Sequence, residues 1–390
     1  MSSRCIRSFR NVRGATLASV VVALLCASCG TPSSATGVGA QPADGSGVVV
    51  DFQLMNETEG WALSSNALSR THDGGATWDV VTPPNVDPAA IRDVFFLDAM
   101  RGWAVVAGFP GDGTSGWMTY VTKDGGETWV PAPFPADTSI YDENAETHLD
   151  FVDDLRGWAM VQISTSSNFS AGDLFRTVDG GLTWEKIGIP IGDKINFVNG
   201  SLGWTAGGAV GDELYVTRDG GSTWERVELG LPPAFPNGTP AYDVPTFFND
   251  QEGVLPVTYT GNAQNSGFAF YLTSDGGRSW RAPGPIVPSR IEIAMGTRML
   301  ADPVTPNAWY EVDPQGGGRV VAARSRGTAV REERGAGLPG GAFHLDFGTS
   351  AVGWVGTSQA SCPGKANCTF ETTLLATESQ GDAWNALSPP

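Results

Sequence analysis

Thr122-Lys123-Asp124-Gly125-Gly126-Glu127-Thr128-Trp129 decides the fold, because the same eight-residue pattern returns along the chain. It reads THDGGATW at Thr71–Trp78, TVDGGLTW at Thr177–Trp184, TRDGGSTW at Thr217–Trp224 and TSDGGRSW at Thr273–Trp280. Five copies at a spacing of about fifty residues mark an array of one supersecondary unit that stacks on its neighbours to bury a core. A second motif alternates with the first. It is EGWA at Glu59–Ala62, RGWA at Arg101–Ala104 and Arg156–Ala159, LGWT at Leu202–Thr205 and VGWV at Val352–Val355, with weaker forms at Glu252–Leu255 and Asn307–Tyr310. Degraded copies of the first motif, ARSRGTAV at Ala323–Val330 and TESQGDAW at Thr377–Trp384, bring both counts to seven. Twelve of the thirteen Trp residues occupy a motif slot, and Trp117 is the exception.

Each repeat reads as four short strands of alternating apolar residues bounded by Gly/Asp turns. Residues 145–190 show the pattern: HLDFV, a turn, GWAMVQIS, a loop, DLFRTV, the Asp-Gly-Gly turn and TWEKIG. Seven such units predict an all-β, seven-bladed β-propeller with four antiparallel strands per blade over residues 47–390. The first and last units each carry four strands of their own, so closure need not borrow a strand from the other terminus.

The start of the chain reads differently. Arg4, Arg7, Arg10 and Arg13 precede an apolar stretch at 15–28 that ends in small residues before Cys29, the pattern of a lipoprotein-type signal peptide over 1–28. Cys26 stands where such sites usually carry Leu, so plain secretion is the alternative to lipidation of Cys29. Residues 29–46, rich in Ser, Thr, Gly, Pro and Ala, read as a flexible tether. The expected location is the cell envelope, with the membrane reached by the N-terminal lipid alone. The whole chain has net charge −18, and removal of the four signal arginines leaves 20 basic against 42 acidic residues, a net −22. That charge opposes binding to nucleic acid or to anionic lipid. Cys362 and Cys368, in SCPGKANC, read as a disulfide closing a short loop. No metal or other cofactor is expected, and the chain is expected to be a monomer.

Asp73, Asp124, Asp179, Asp219 and Asp275 read as turn formers rather than catalysts. A carboxylate in a tight turn accepts several backbone N–H bonds, the two glycines supply positive φ, and the Trp covers the turn. The turns before Gly-Trp and at Asp-Gly-Gly share one regular face. The long, individual loops lie on the other, where a ligand surface is expected. Candidate aromatics there are Trp117, Tyr141 beside Asp142 and Glu143, and Phe235 with Tyr242. Along the first strands, alternate positions are polar: Asp51 and Gln53, Asp93, His148 and Asp150, Lys194 and Asn196, His344 and Asp346. Period two sets them on one side of each strand, towards a central channel. Asp51, His344 and Asp346 could form an acid or metal site there, against the plainer reading of a polar, water-filled channel.

On these motifs the chain resembles the Asp-box, or bacterial neuraminidase repeat, superfamily. The paired GWA and TxDGGxTW motifs are most similar to the photosystem II assembly and stability factor propellers. Sialidases, xyloglucanase-type glycosidases and sortilin-type receptors carry the same box, so the resemblance implies fold more than activity. A sialidase would carry an Arg-Ile-Pro in its first strand and a Tyr nucleophile with a Glu partner. VVVDFQL has no Arg, and Tyr310-Glu311 are sequence neighbours that a strand points to opposite faces. The expectation is a non-catalytic module that binds an envelope protein or glycan. The alternative is a glycoside hydrolase or lyase with carboxylates at the channel mouth.

Overall fold

The computed structural model describes residues 47–108, 116–137, 140–141, 145–163, 170–262, 265–282, 287–288, 293, 298, 300–305, 308–313, 319–325, 329–334, 338–339, 341–364 and 367–389. Side chains at 287–288, 308–309, 311–334, 362–364 and 367–370 are outside that description. The signal peptide, Cys29, the tether and Asp142-Glu143 lie outside the described residues. The side chains of Ser325, Glu311, Cys362 and Cys368 do too.

The regular structure of the described residues is strand, apart from one short 3-10 turn at Pro88–Ala90. It divides into two compact units, Met1–Val80 with Val312–Val321 and Glu333–Pro390, and Val81–Glu311 with Ala322–Glu332. In the first unit, Val49–Leu54, Gly60–Ser64, Leu68–Thr71 and Asp79–Val80 form one antiparallel sheet in chain order. Gly341–Phe347, Gly353–Gly364, Asn367–Thr377 and Asn385–Leu387 form another, and the two pack together without exchanging a strand. In the second unit, sheets of the same order run over residues 91–134, 147–187 and 195–226. Residues 301–334 form a further four-stranded sheet.

The expected count of seven four-stranded blades is corrected here: the described residues form six, not seven. The repeat around the fifth Asp-Gly-Gly turn forms a five-stranded sheet instead. Its first strand is broken into Thr239–Tyr242 and Thr246–Phe247, both paired with Gly253–Thr260. Pro245 has no N–H to give a ladder, and the register slips by one residue across the gap, from Tyr242↔Val257 to Thr246↔Val254. Its outer strand is equally reduced, with an isolated bridge at Arg281 and a separate Val287–Pro288.

Both motifs have mechanical explanations. In the box at Asp124, the Thr122 and Thr128 hydroxyls and the Thr128 N–H all donate to the carboxylate, at 2.8, 2.5 and 2.8 Å. Asp73, Asp179, Asp219 and Asp275 repeat these three bonds. The hydroxyl bonds hold Asp73, Asp124 and Asp275 down at about 2. Gly125 and Gly126 take φ of 74° and 98°, which an L side chain rarely adopts. The last copy keeps the geometry with poorer residues: Gln380 sits at φ 60°, and the Ser379 hydroxyl accepts from Ala383 N–H at 3.0 Å.

The Gly of the Gly-Trp motif lies opposite an aromatic ring on the first strand. A Cβ at Gly157 would stand 2.3 Å from Phe151, and at Gly203 2.4 Å from Phe197. Those rings are sandwiched by the Trp of the preceding sheet. Trp103 stacks on Phe151 at 3.7 Å and 8°, and Trp158 on Phe197 at 3.7 Å and 1°. Each indole N–H then donates to a box carbonyl of the next sheet, Trp103 to Gly180 and Trp158 to Gly220, at 2.9 and 3.1 Å. At these two junctions the Gly-Phe-Trp sandwich supplies both apolar burial and register between blades.

Candidate functional site

The polar row along the first strands is a set of clamps. Asp93 accepts the backbone N–H of Leu149, and Asp150 accepts that of Phe197. Asp346 accepts the N–H of Leu54 at 2.6 Å. In each case the acid sits on the first strand of one sheet and the N–H on the first strand of the adjoining one. Such a strand is the inner edge of its sheet, where an unpaired N–H costs free energy unless something accepts it. In the sheets containing Asp51, Asp93 and His344, a one-residue register shift precedes the polar residue, a bulge of the kind that re-aims side chains.

These acids differ from the box acids in electrostatics. Burial pushes Asp150 up to about 7, against the pull of the Phe197 N–H. Burial also raises Asp346, opposed by the charge of His344 and the Leu54 N–H. Nearby, His344 Nδ1 lies 2.9 Å from Asp51 Oδ1, both half-exposed, and the imidazole stacks on Phe52 at 4.5 Å. Asp51, His344 and Asp346 thus share one region, but Asp346 is committed to Leu54. Gln53 is committed as well, accepting from the Trp61 indole at 3.0 Å. Among the described residues no group of three or more His, Cys, Asp or Glu is placed to hold a metal ion.

The richest cluster lies at the start of the first strands in the third and fourth sheets, on the side of the long connections. His148 Nε2 is 3.5 Å from Glu146 Oε1, each about a quarter exposed. Burial lowers His148, but the hydrogen bond and charge of Glu146, with the charge of Asp93, carry it above its ordinary value. Burial raises Glu146, and the His148 bond and the charges of His148, Lys194 and Arg298 bring it below the usual carboxylate range. Asp193 accepts from Ser170 hydroxyl and from Gly208 N–H at 2.9 Å, with Arg298 at 3.6 Å. Two loose ion pairs, Glu146–His148 and Asp193–Arg298, stand together there with the charge of Lys194 reaching the first, an arrangement able to hold a polar ligand by several hydrogen bonds. Sequence reading missed Glu146, Asp193 and Arg298. Extending the period-two row by one step reaches Glu146, whereas Arg298 comes from a distant connection with no local signal.

The aromatic candidates are placed differently from expectation. Trp117, Tyr141, Phe235 and Tyr242 are all buried, so they form no exposed patch. Trp117 lies between the rings of Phe134 and Tyr141, at 6.2 and 6.0 Å. Tyr141 donates to Asp173, which Lys186 also meets at 2.7 Å. Burial pushes Tyr242 up to about 12. These residues fill the spaces that the long connections would otherwise leave open. Cys362 and Cys368 adjoin the Ser361↔Thr369 pair on opposed strands, and the disulfide expected between them falls on side chains outside those described.

Strands, inner clamps and Trp sandwiches together define an all-β propeller. Solved structures bear out that class. A structure of YCF48 bound to a D1 peptide is 18% identical, with a TM-score of 0.51 over 81% of this chain and 90% of that one. A lectin from Burkholderia pseudomallei is 15% identical, with a TM-score of 0.52 over 86% and 96%. A GH74 xyloglucanase from Xanthomonas campestris is 14% identical, with a TM-score of 0.52 over 88% of this chain, which spans only 54% of the enzyme. At these identities the likeness concerns fold alone. The chain matches no protein-family model and no curated protein.

Proposed function

We propose that this chain is a non-catalytic binding propeller, exported and held at the cell envelope by a lipid on Cys29, that recognises a protein or glycan. Plain secretion is the alternative to the anchor. The carrying observation is the commitment of Asp93, Asp150 and Asp346 to backbone N–H groups of adjoining sheets. Hydrolysis of a glycoside needs two carboxylates free to face one bond, and these acids hold blades together instead. The ligand surface is the mixed-charge cluster of Glu146, His148, Lys194 and Arg298, on the side of the long loops. Binding propellers and glycosidases both occur among chains of this fold, so fold leaves the choice to the site.

Immobilised protein should retain ligands from a glycan array or an envelope-protein array. The Lys194→Ala/Arg298→Ala double variant should weaken retention about tenfold, or about 1.4 kcal/mol. Equal retention by the double variant would refute this placement. The hydrolase reading draws support from one observation: Asp150, poised at about 7, is placed to exchange a proton near neutral pH. Turnover of any glycan that vanishes in Asp150→Asn would favour it.

A further inference from the structure

The repeat provides its own control for surface composition. Three positions per regular-face pair of turns point to solvent: the residue two before the Gly of Gly-Trp, and the two variable positions of the box. The first position holds Thr58, Ser201 and Gln251 in three sheets, all exposed and polar. The box positions hold His72, Lys123, Arg218, Ser274 and Glu378, then Ala76, Glu127, Ser222, Arg278 and Asp382, all exposed. The third sheet departs at every one of them, with Leu155, Val178 and Leu182. The adjoining second sheet adds Met100 at the first position. Nine large apolar side chains are exposed among the described residues, and these four are the ones gathered on neighbouring turns, at 47–68% exposure.

The equivalent turns in other sheets carry polar residues or the small Ala76 and Ala351 there, so folding does not require large apolar ones. The turns are close neighbours. Gly180 N–H donates to Leu155 O at 2.8 Å, and Trp103 of the second sheet reaches Gly180 O at 2.9 Å. The charges of Asp153 and Asp154 also reach Arg101, beside Met100. An exposed apolar cluster with a polar rim marks an interaction site.

We infer that Met100, Leu155, Val178 and Leu182 form a docking surface for a short, basic amphipathic polypeptide segment of a partner protein. Size excludes a second folded copy as the occupant: four side chains are few beside the roughly 20–30 residues that each side of a stable interface contributes. Charge selects the sign. Arg101 and Arg156 are closed on Asp98 and Asp153 at 2.5 and 2.6 Å, and the exposed Asp154 next to Leu155 offsets the exposed Lys123 of the box turn beside Met100, so the overall charge of the chain sets the sign. The chain without its signal arginines, at 20 basic against 42 acidic residues, attracts a cationic segment from any direction. Apolar anchors at helical spacing would then cover the cluster.

Titration of the full chain with a synthetic helix of leucine and lysine tests this. Wild type should bind it, and the same helix built of leucine and glutamate should not bind. Leu155→Ser/Val178→Ser/Leu182→Ser should weaken the lysine helix at least about tenfold. A control triple, Ser201→Ala/Arg218→Ala/Ser222→Ala, should change binding little. The substituted side chains are exposed, so both triples should keep the wild-type melting temperature. Equal binding by wild type and the apolar triple would overturn the inference, as would equal binding of the glutamate helix. Concentration-dependent dimerisation that the apolar triple abolishes would overturn it in favour of a second copy.

Discussion

Asp150→Asn should stabilise this protein at alkaline pH and leave it unchanged in acid. Asp150 accepts the Phe197 N–H across a sheet junction, and burial raises its carboxyl from 3.8 to about 7. A carboxyl raised in the folded state contributes most to stability below pH about 4, and that contribution is lost as pH climbs through about 7. The rise corresponds to roughly 4 kcal/mol at about 1.4 kcal/mol per pH unit. Solvent reaching the half-buried side chain trims it to on the order of 2–3 kcal/mol. Asparagine keeps the carbonyl that Phe197 needs and never ionises. Urea denaturation at closely spaced pH values from 4 to 9 reads the effect directly. The variant and the wild type should coincide at the acid end and separate steadily, with the variant more stable, by pH 8. Parallel curves over that whole range, or a variant less stable at pH 8, would refute the reasoning.

Trp129 is buried, donates to Val81 O at 2.8 Å and meets Phe96 edge-on. Trp129→Ala should therefore cost roughly 3–5 kcal/mol in chemical denaturation. Gly157→Ala forces a methyl against the Phe151 ring and should cost about 1–3 kcal/mol, a loss that combining it with Phe151→Leu should partly recover. Asp124→Ala should cost only about 1 kcal/mol, because water can reach the exposed Thr128 N–H once the carboxylate is gone. The acid limb should be shared: Asp73, Asp124 and Asp275 hold values depressed to about 2, so their stabilisation is present above pH about 4 and falls away towards pH 2. Circular dichroism between those values should show a progressive decline in melting temperature.

The repeat made much of this fold legible. Asp124 and its equivalents are in the turns that their spacing demanded, and Trp103 and Trp158 are core residues at the junctions. The number of four-stranded blades was not legible, because Pro245 splits a strand that the alternating pattern treats as continuous. Period two put Asp150 and Asp346 on one side of their first strands. It could not say that each would meet an N–H from a strand many residues away, since that contact depends on how sheets adjoin. Trp117, Tyr141 and Tyr242 misled for a related reason. Loop aromatics look exposed in a sequence, yet long connections fold back and need fillers of their own.

The central claim is that the inner carboxylates hold blades together and that the protein binds without cleaving. Incubating the protein with the glycans it retains, while following release of reducing ends over time, tests it most directly. Retention should be stable with no release above a protein-free control, in wild type and Asp150→Asn alike. Time-dependent release by wild type that Asp150→Asn abolishes would contradict it.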